Sequence, residues 1–296
     1  MTRIGLLAGI LLAFAAEVAE AAPVKIVASF SVLKDIAQQI AGDHADVTSL
    51  VPPDGDAHSF DPSPADAEKL GSASLVLVNG LGLDRWMEQL ATSAGYKGPL
   101  VVASAGIAAR EMPSEGDGKV VTDPHAWQDL RNGAIYVGNI ERALEAVDPG
   151  NAADYRSRAA AYSAVLVALD AEVRAAIGSV PAAKRRVITS HDAFGYFGAA
   201  YGVTFLAPEG ISTDAEPSAG AVAKLVDQIK AEHIKAVFIE NMTDARLIAT
   251  IARETGAELG GTLYSDALSK PGGEADNYVG MFKNNVPKLV AGMLKN

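Results

Sequence analysis

The sequence predicts an α/β fold: two lobes, each built on a parallel sheet, joined by a single long linker helix. Three observations carry this. Short β-branched runs alternate with helical patterns, an order that implies parallel strands with helical crossovers. An apolar stripe (Tyr155, Ala159, Tyr162, Leu166, Leu169, Val173) runs through residues 152–177 without an internal glycine or proline, the longest helical pattern in the chain. The alternation then restarts. With 296 residues the chain is long enough for two domains of roughly 150 each.

Residues 1–21 precede both lobes. Arg3 supplies a positive start, residues 4–16 an apolar run, and Ala19-Glu20-Ala21 small residues at a cleavage position, the layout of a secretory signal peptide. The run is short for a membrane anchor, which needs about 20 apolar residues. The expected organisation is a signal peptide at 1–21, an amino-terminal lobe at 22–150, a linker helix at 151–179 and a carboxyl-terminal lobe at 180–296.

Residues 24–29 read as a buried strand, and Leu33, Ile36, Ala37 and Ile40 follow at helical spacing until Gly42. A second strand at 47–51 stops at Pro52-Pro53-Asp54-Gly55, because proline cannot donate to a ladder and Asp-Gly favours a turn. Ser63-Pro64 opens a helix, with serine as its cap and proline at its first position. Strands at 75–79 and 100–103 flank a helix at 84–94. Residues 107–121, with Glu111, Glu115 and Asp117, read as a surface loop. A helix at 132–146 ends at Asp148-Pro149-Gly150-Asn151. The long helix would span about 39 Å at 1.5 Å per residue, which suits a strut between lobes. Strands are then expected at 186–190, 203–207, 236–240 and 258–263. Helices are expected at 196–201, 219–232, 245–255 and 277–294, with a loop at 208–218.

Composition narrows the function. A formal net charge of −11 argues against nucleic acid, which needs a basic face. The chain has no cysteine, so a disulfide framework, a thiolate metal site and a lipid-bearing cysteine are excluded from it. Gly80-Leu81-Gly82 lacks the third glycine of a dinucleotide loop. Ser190-His191-Asp192 holds triad residue types, but adjacent residues do not face one another as a triad requires.

What remains is a set of four. His58, His125 and His191 fall in loops that follow strands, and Asp266 follows the last strand. In parallel α/β sheets ligands bind beyond the carboxyl ends of the strands. The four are 67, 66 and 75 residues apart, so no pair has short-range metal spacing and each alone is a weak signal. Of five histidines, however, three lie at ligand-binding ends; His44 and His233 lie at helix ends among charged residues. Three imidazoles and a carboxylate suit a divalent transition metal. Zinc takes such donors tetrahedrally at about 2.0–2.2 Å, and a nitrogen-rich set favours it over manganese. Neutral imidazoles are required, so affinity is expected to fall as pH drops through about 6.5. Asp56, Asp123, Asp192 and Glu240 are candidates to orient the rings.

Several stretches together resemble a known family. They are Ala28-Ser29-Phe30, Pro52-Pro53-Asp54-Gly55-Asp56-Ala57-His58-Ser59-Phe60-Asp61-Pro62, Asn79-Gly80-Leu81-Gly82, Asp123-Pro124-His125-Ala126-Trp127, Asp148-Pro149-Gly150-Asn151, Ser190-His191-Asp192-Ala193-Phe194-Gly195-Tyr196 and Leu263-Tyr264-Ser265-Asp266. They resemble the metal-binding class of periplasmic solute-binding proteins that serve bacterial ABC importers for zinc and manganese. The resemblance implies two Rossmann-like lobes on a rigid helix, with His58 and His125 from the first lobe and His191 and Asp266 from the second. It implies a metal held in the cleft and a membrane permease as partner; with the donor set above, the expected reading is a non-enzymatic receptor for Zn²⁺, with Mn²⁺ or iron as the alternative cargo. A metallochaperone is a further candidate partner. The expected state is a monomer, periplasmic and not membrane-anchored. Zinc-specific relatives often carry a histidine-rich loop before the second ligand; residues 107–121 contain no histidine. A zinc-dependent hydrolase is the reading from another class, since three histidines alone would leave a position open for water.

Overall fold

The computed structural model describes residues 23–113, 120–215 and 217–296; the expected signal peptide at 1–21 lies outside them. In the first lobe β1 (Val24–Ala28), α1 (Ser31–Ala41), β2 (Ala45–Ser49), α2 (Pro64–Gly71), β3 (Leu75–Val78), α3 (Trp86–Ser93) and β4 (Leu100–Val102) follow in order. Their strands form one parallel sheet in the order β2-β1-β3-β4. All four residues of β3 are buried, as expected for a central parallel strand covered on both faces. At α2 the expected cap is present: Ser63 and Asp66 form a capping box ahead of Pro64.

Residues 107–121 depart from expectation. The described part is an antiparallel two-stranded ribbon, β5 (Arg110–Pro113) paired with β6 (Val120–Asp123), rather than a surface loop. Val120-Val121-Thr122 supplies β-branched residues that favour pairing, but the run is too short to stand out from the charged residues before it. His125 therefore follows a ribbon strand, not a strand of the main sheet.

After α4 (Leu130–Val147) comes α5 (Ala152–Gly178), 27 residues long. Its buried stripe is Tyr155, Ala159, Tyr162, Leu166, Leu169, Val173 and Ile177. It packs on α1 and α4 of the first lobe and on two helices of the second. The second lobe contains β7 (Arg186–Ile188), α6 (Gly195–Tyr201), β8 (Thr204–Leu206), α7 (Ala219–Glu232), β9 (Ala236–Glu240), α8 (Ala245–Thr255), β10 (Glu258–Leu263) and α9 (Tyr278–Met293). Its parallel sheet runs β10-β9-β7-β8.

One continuous apolar core crosses both lobes. It joins Leu33, Ile36 and Leu77 of the first to Phe197, Phe238 and Phe282 of the second, with the α5 stripe between them. Gly133 lets α4 approach α9: a Cβ there would lie 2.9 Å from the Tyr278 hydroxyl oxygen. Buried polar bonds also cross the boundary. The Leu268 N–H donates to Ser31 Oγ (2.9 Å), and the Tyr278 N–H donates to Asp35 Oδ2 (2.8 Å). Separating the lobes would expose this core and strand these polar groups, so the fold opposes a wide hinge.

Candidate metal centre

His58 lies in the loop after β2, His191 directly after β7 and Asp266 after β10, all at carboxyl ends of sheet strands. His125 is placed beside them by the ribbon. The structure brings all four together: one donor atom from each lies within 4.8 Å of every other. His58 Nε2 is 3.2 Å from His125 Nε2 and 3.2 Å from Asp266 Oδ2. His191 Nε2 is 3.1 Å from Asp266 Oδ2, and His125 Nε2 is 3.6 Å from Asp266 Oδ1. A tetrahedral ion with bonds of about 2.05 Å would keep its donors roughly 3.3 Å apart. Four of the separations are close to that, and the whole set lies within 4.8 Å, so small shifts would bring all four donors onto one ion.

His125, His191 and Asp266 are fully buried, while the His58 side chain is 5% exposed. Asp266 Oδ1 is buried without a hydrogen-bond donor, an arrangement that is costly unless a cation completes it. Burial opposes charge on His125, but Asp266 and Asp123 outweigh it and push its pKa up to about 9. Burial likewise opposes charge on His191, and Glu240 and Asp266 raise it well above the usual histidine value. Burial alone would raise Asp266; His125 and His191 instead hold its carboxyl well below the usual range. Without an ion, the cluster is an ion-paired set that holds protons. The expected pH window near 6.5 therefore moves upward for His125, because its carboxylate partners favour the charged ring.

Two of the four candidate orienting residues reach a ring. Asp123 Oδ1 is 2.9 Å from His125 Nδ1 and also accepts from the His125 backbone N–H (3.0 Å). Glu240 Oε1 accepts from the His191 N–H (2.9 Å); Glu240 Oε2 stands 2.8 Å from His191 Nδ1, close enough for an ion pair but off the line of a good hydrogen bond. Asp56 serves the loop instead, accepting from the His58 N–H (2.8 Å) and from the Thr213 hydroxyl of the other lobe (2.6 Å). Asp192 bonds neither ring; burial raises its pKa. His44 pairs with Asp154 at 2.9 Å and His233 ends α7, both away from the cluster.

The sequence reading missed supporting residues from distant parts of the chain. Asn79 donates from its amide to the Pro124 carbonyl (3.0 Å), just before His125, and accepts from the Tyr136 hydroxyl (2.5 Å). Asp84 accepts from the Asn79 and Gly80 N–H groups (2.5 and 3.0 Å), which accounts for the Asn79-Gly80 turn. Arg110 Nε stands 3.4 Å from Asp123 Oδ2, and its backbone N–H donates to the Tyr196 hydroxyl (2.9 Å). Asn79 was legible as part of a motif; nothing local marks Tyr136 or Arg110. A cavity of about 520 Å³, lined by His58, Trp86, Thr122 and Ser212 among others, opens beside His58.

Two α/β lobes fused along one core and meeting at a buried cluster of metal-type donors define a substrate-binding protein. The chain belongs to the family described as zinc-uptake complex component A, periplasmic, whose model matches residues 26–292. It is 35% identical over 271 residues to the iron-binding protein YfeA of Yersinia pestis, covering 90% of this chain and 86% of that one. It is 33% identical to the manganese ABC transporter substrate-binding lipoprotein PsaA of Streptococcus pneumoniae, covering 92% and 89%. Among solved structures, the periplasmic zinc binding protein TroA of Treponema pallidum superposes with a TM-score of 0.86 at 30% identity, covering 92% of this chain and 99% of that one. A manganese-bound periplasmic metal binding protein from Candidatus Liberibacter asiaticus gives 0.81 at 33%, covering 91% and 99%. The protein is thus a metal-binding, extracytoplasmic substrate-binding protein of an ABC importer. Its relatives are binding proteins of transporters and not enzymes, and on that ground the hydrolase reading is set aside.

Proposed function

We propose that the protein captures one Zn²⁺ ion in the periplasm with His58, His125, His191 and Asp266 and delivers it to its importer permease. The observation that carries this is the convergence of four metal-type donors, one atom from each within 4.8 Å of every other, with four of the separations at 3.1–3.6 Å. Three nitrogens and one carboxylate favour zinc over an ion that prefers oxygen. In this reading residues 1–21 direct export and are removed. The mature chain works as an unanchored monomer, with lobes at 22–150 and 180–296 about the helix at 151–179. A metallochaperone is a candidate donor. The names of the relatives support a second cargo reading, manganese or iron, on the same four ligands.

Metal analysis of protein purified from the periplasm without added metal, followed by competition titration among Zn²⁺, Mn²⁺ and Fe²⁺, separates the cargoes. The expected result is one zinc per chain, displaced by neither competitor at equal concentration. Manganese or iron at full occupancy would replace the zinc assignment and leave the receptor intact. Retained zinc affinity in His125→Ala would overturn the ligand set.

A further inference from the structure

Asp266 differs from His125 and His191 in how it is held. The His125 and His191 rings each have a carboxylate at the far nitrogen, whereas Asp266 meets only the other ligand rings, Oδ2 lying 3.1 Å from His191 Nε2 and Oδ1 having no hydrogen-bond donor among the described residues. Its orientation comes through the backbone. The Ser265 carbonyl, which belongs to the peptide unit carrying the Asp266 nitrogen, accepts from Trp127 Nε1 and from Gln128 Nε2, each at 2.9 Å. Two donors occupy both lone pairs of a carbonyl oxygen, so the plane of that peptide is fixed. Trp127 is fully buried and Gln128 is 1% exposed, which makes these bonds hard for water to replace. Behind them the Tyr278 hydroxyl donates to the Trp127 carbonyl, and Asn285 brackets Tyr264 through its N–H (3.0 Å) and carbonyl (2.7 Å).

Both donors come from the other lobe. They belong to the short 3₁₀ turn Ala126–Gln128, immediately after His125. One turn therefore carries a candidate ligand and also grips the backbone of a second candidate ligand, well over a hundred residues later.

We propose that Trp127 and Gln128 are positioning residues for Asp266, locking His125 and Asp266 into a single preformed half of the metal site across the lobe boundary. The proposal rests on the ligand reading above. It requires that small movements of the lobes carry His125 and Asp266 together, so that this pair does not part when metal leaves.

The test uses the mature protein loaded with Co²⁺, whose visible absorption reports coordination number and geometry. Trp127→Phe keeps the aromatic body that packs on Phe30 at 4.8 Å between ring centroids and removes only the donor; Gln128→Met keeps length and removes the other. In the double variant the tetrahedral spectrum is expected to weaken and shift, and loss of Co²⁺ to excess EDTA to accelerate by about tenfold or more, the scale of supporting-residue effects in metal sites. Each single variant should fall between. A merely structural role would lower the melting temperature of the metal-free protein but leave the spectrum and the loss rate at their wild-type values; that outcome overturns the proposal while the ligand reading stands. If the double variant does not fold, the same two readings on Gln128→Met decide. Failure of the wild-type protein to bind Co²⁺ or Zn²⁺ would overturn the ligand reading, and the proposal with it.

Discussion

At the scale of single residues, protons govern the site. With its pKa raised to about 9, His125 is charged at neutral pH in the metal-free protein and paired with Asp266. A raised histidine stabilises the fold fully below its unfolded value, near 6.5, and that contribution is lost as pH climbs through about 9. Asp266 is depressed, so its contribution is present above its unfolded value of about 3.9 and is lost as pH falls through the lower folded one. A metal needs a neutral ring, so binding through His125, as proposed, would expel its proton. The gap in melting temperature between zinc-loaded and EDTA-treated protein should therefore widen from pH 6.5 to pH 9; a constant gap would argue against His125 as a ligand. His191→Glu swaps a nitrogen for an oxygen and should move preference from zinc toward manganese in a competition titration. Glu240 would then face a second carboxylate where it now faces Nδ1 of His191, so zinc affinity should fall more than manganese affinity rises.

At the scale of elements, the start of α6 matters because it lies flat on the supports of His125. A Cβ built on Gly195 would lie 2.6 Å from Asp123 Oδ2 and 3.0 Å from Arg110. Asp123 is fully buried and cannot step aside into solvent. Gly195→Ala should thus lower zinc affinity by roughly ten- to a hundredfold, as loss of a residue behind a ligand does. Gly178→Ala, with open space at its Cβ, should leave affinity unchanged. Isothermal titration of both variants checks the pair. The elements themselves were largely legible: short β-branched runs between helical patterns marked the parallel strands, and cap chemistry and an apolar stripe marked the Ser63-Pro64 start and α5. The ribbon was not, because antiparallel pairing of two four-residue strands leaves little periodicity to read. His58, His191 and Asp266 could be picked out because the carboxyl ends of sheet strands are where such folds place ligands; His125 joined them as a loop histidine although the strand before it belongs to the ribbon. Trp127, Gln128, Arg110 and Tyr136 could not be assigned roles, since their bonds join parts of the chain that only the tertiary fold brings together.

At the scale of the whole molecule, the shared core and the buried bonds at Asp35, Ser31 and Ser265 tie the lobes along one side. Bonds on the other side use side chains near solvent: Thr213 to Asp56 (2.6 Å) and Asn241 to Asp54 (2.9 Å). Metal binding should stabilise this body without reshaping it. At free zinc a hundred times the dissociation constant the gain is about 2.7 kcal/mol, read as a higher unfolding midpoint that EDTA abolishes. Small-angle scattering profiles of loaded and stripped protein should nearly superpose; a large expansion on stripping would contradict the tied lobes.

The passage of the backbone through α5 also sets an order in time. A nascent chain delivers His58 and His125 first, then the strut, then His191, and Asp266 only after the last strand of the second sheet. On the proposed ligand set, a copy cut short before the second sheet would carry only two of the four donors. Holding cargo would then depend on the last strand of the second sheet being in place.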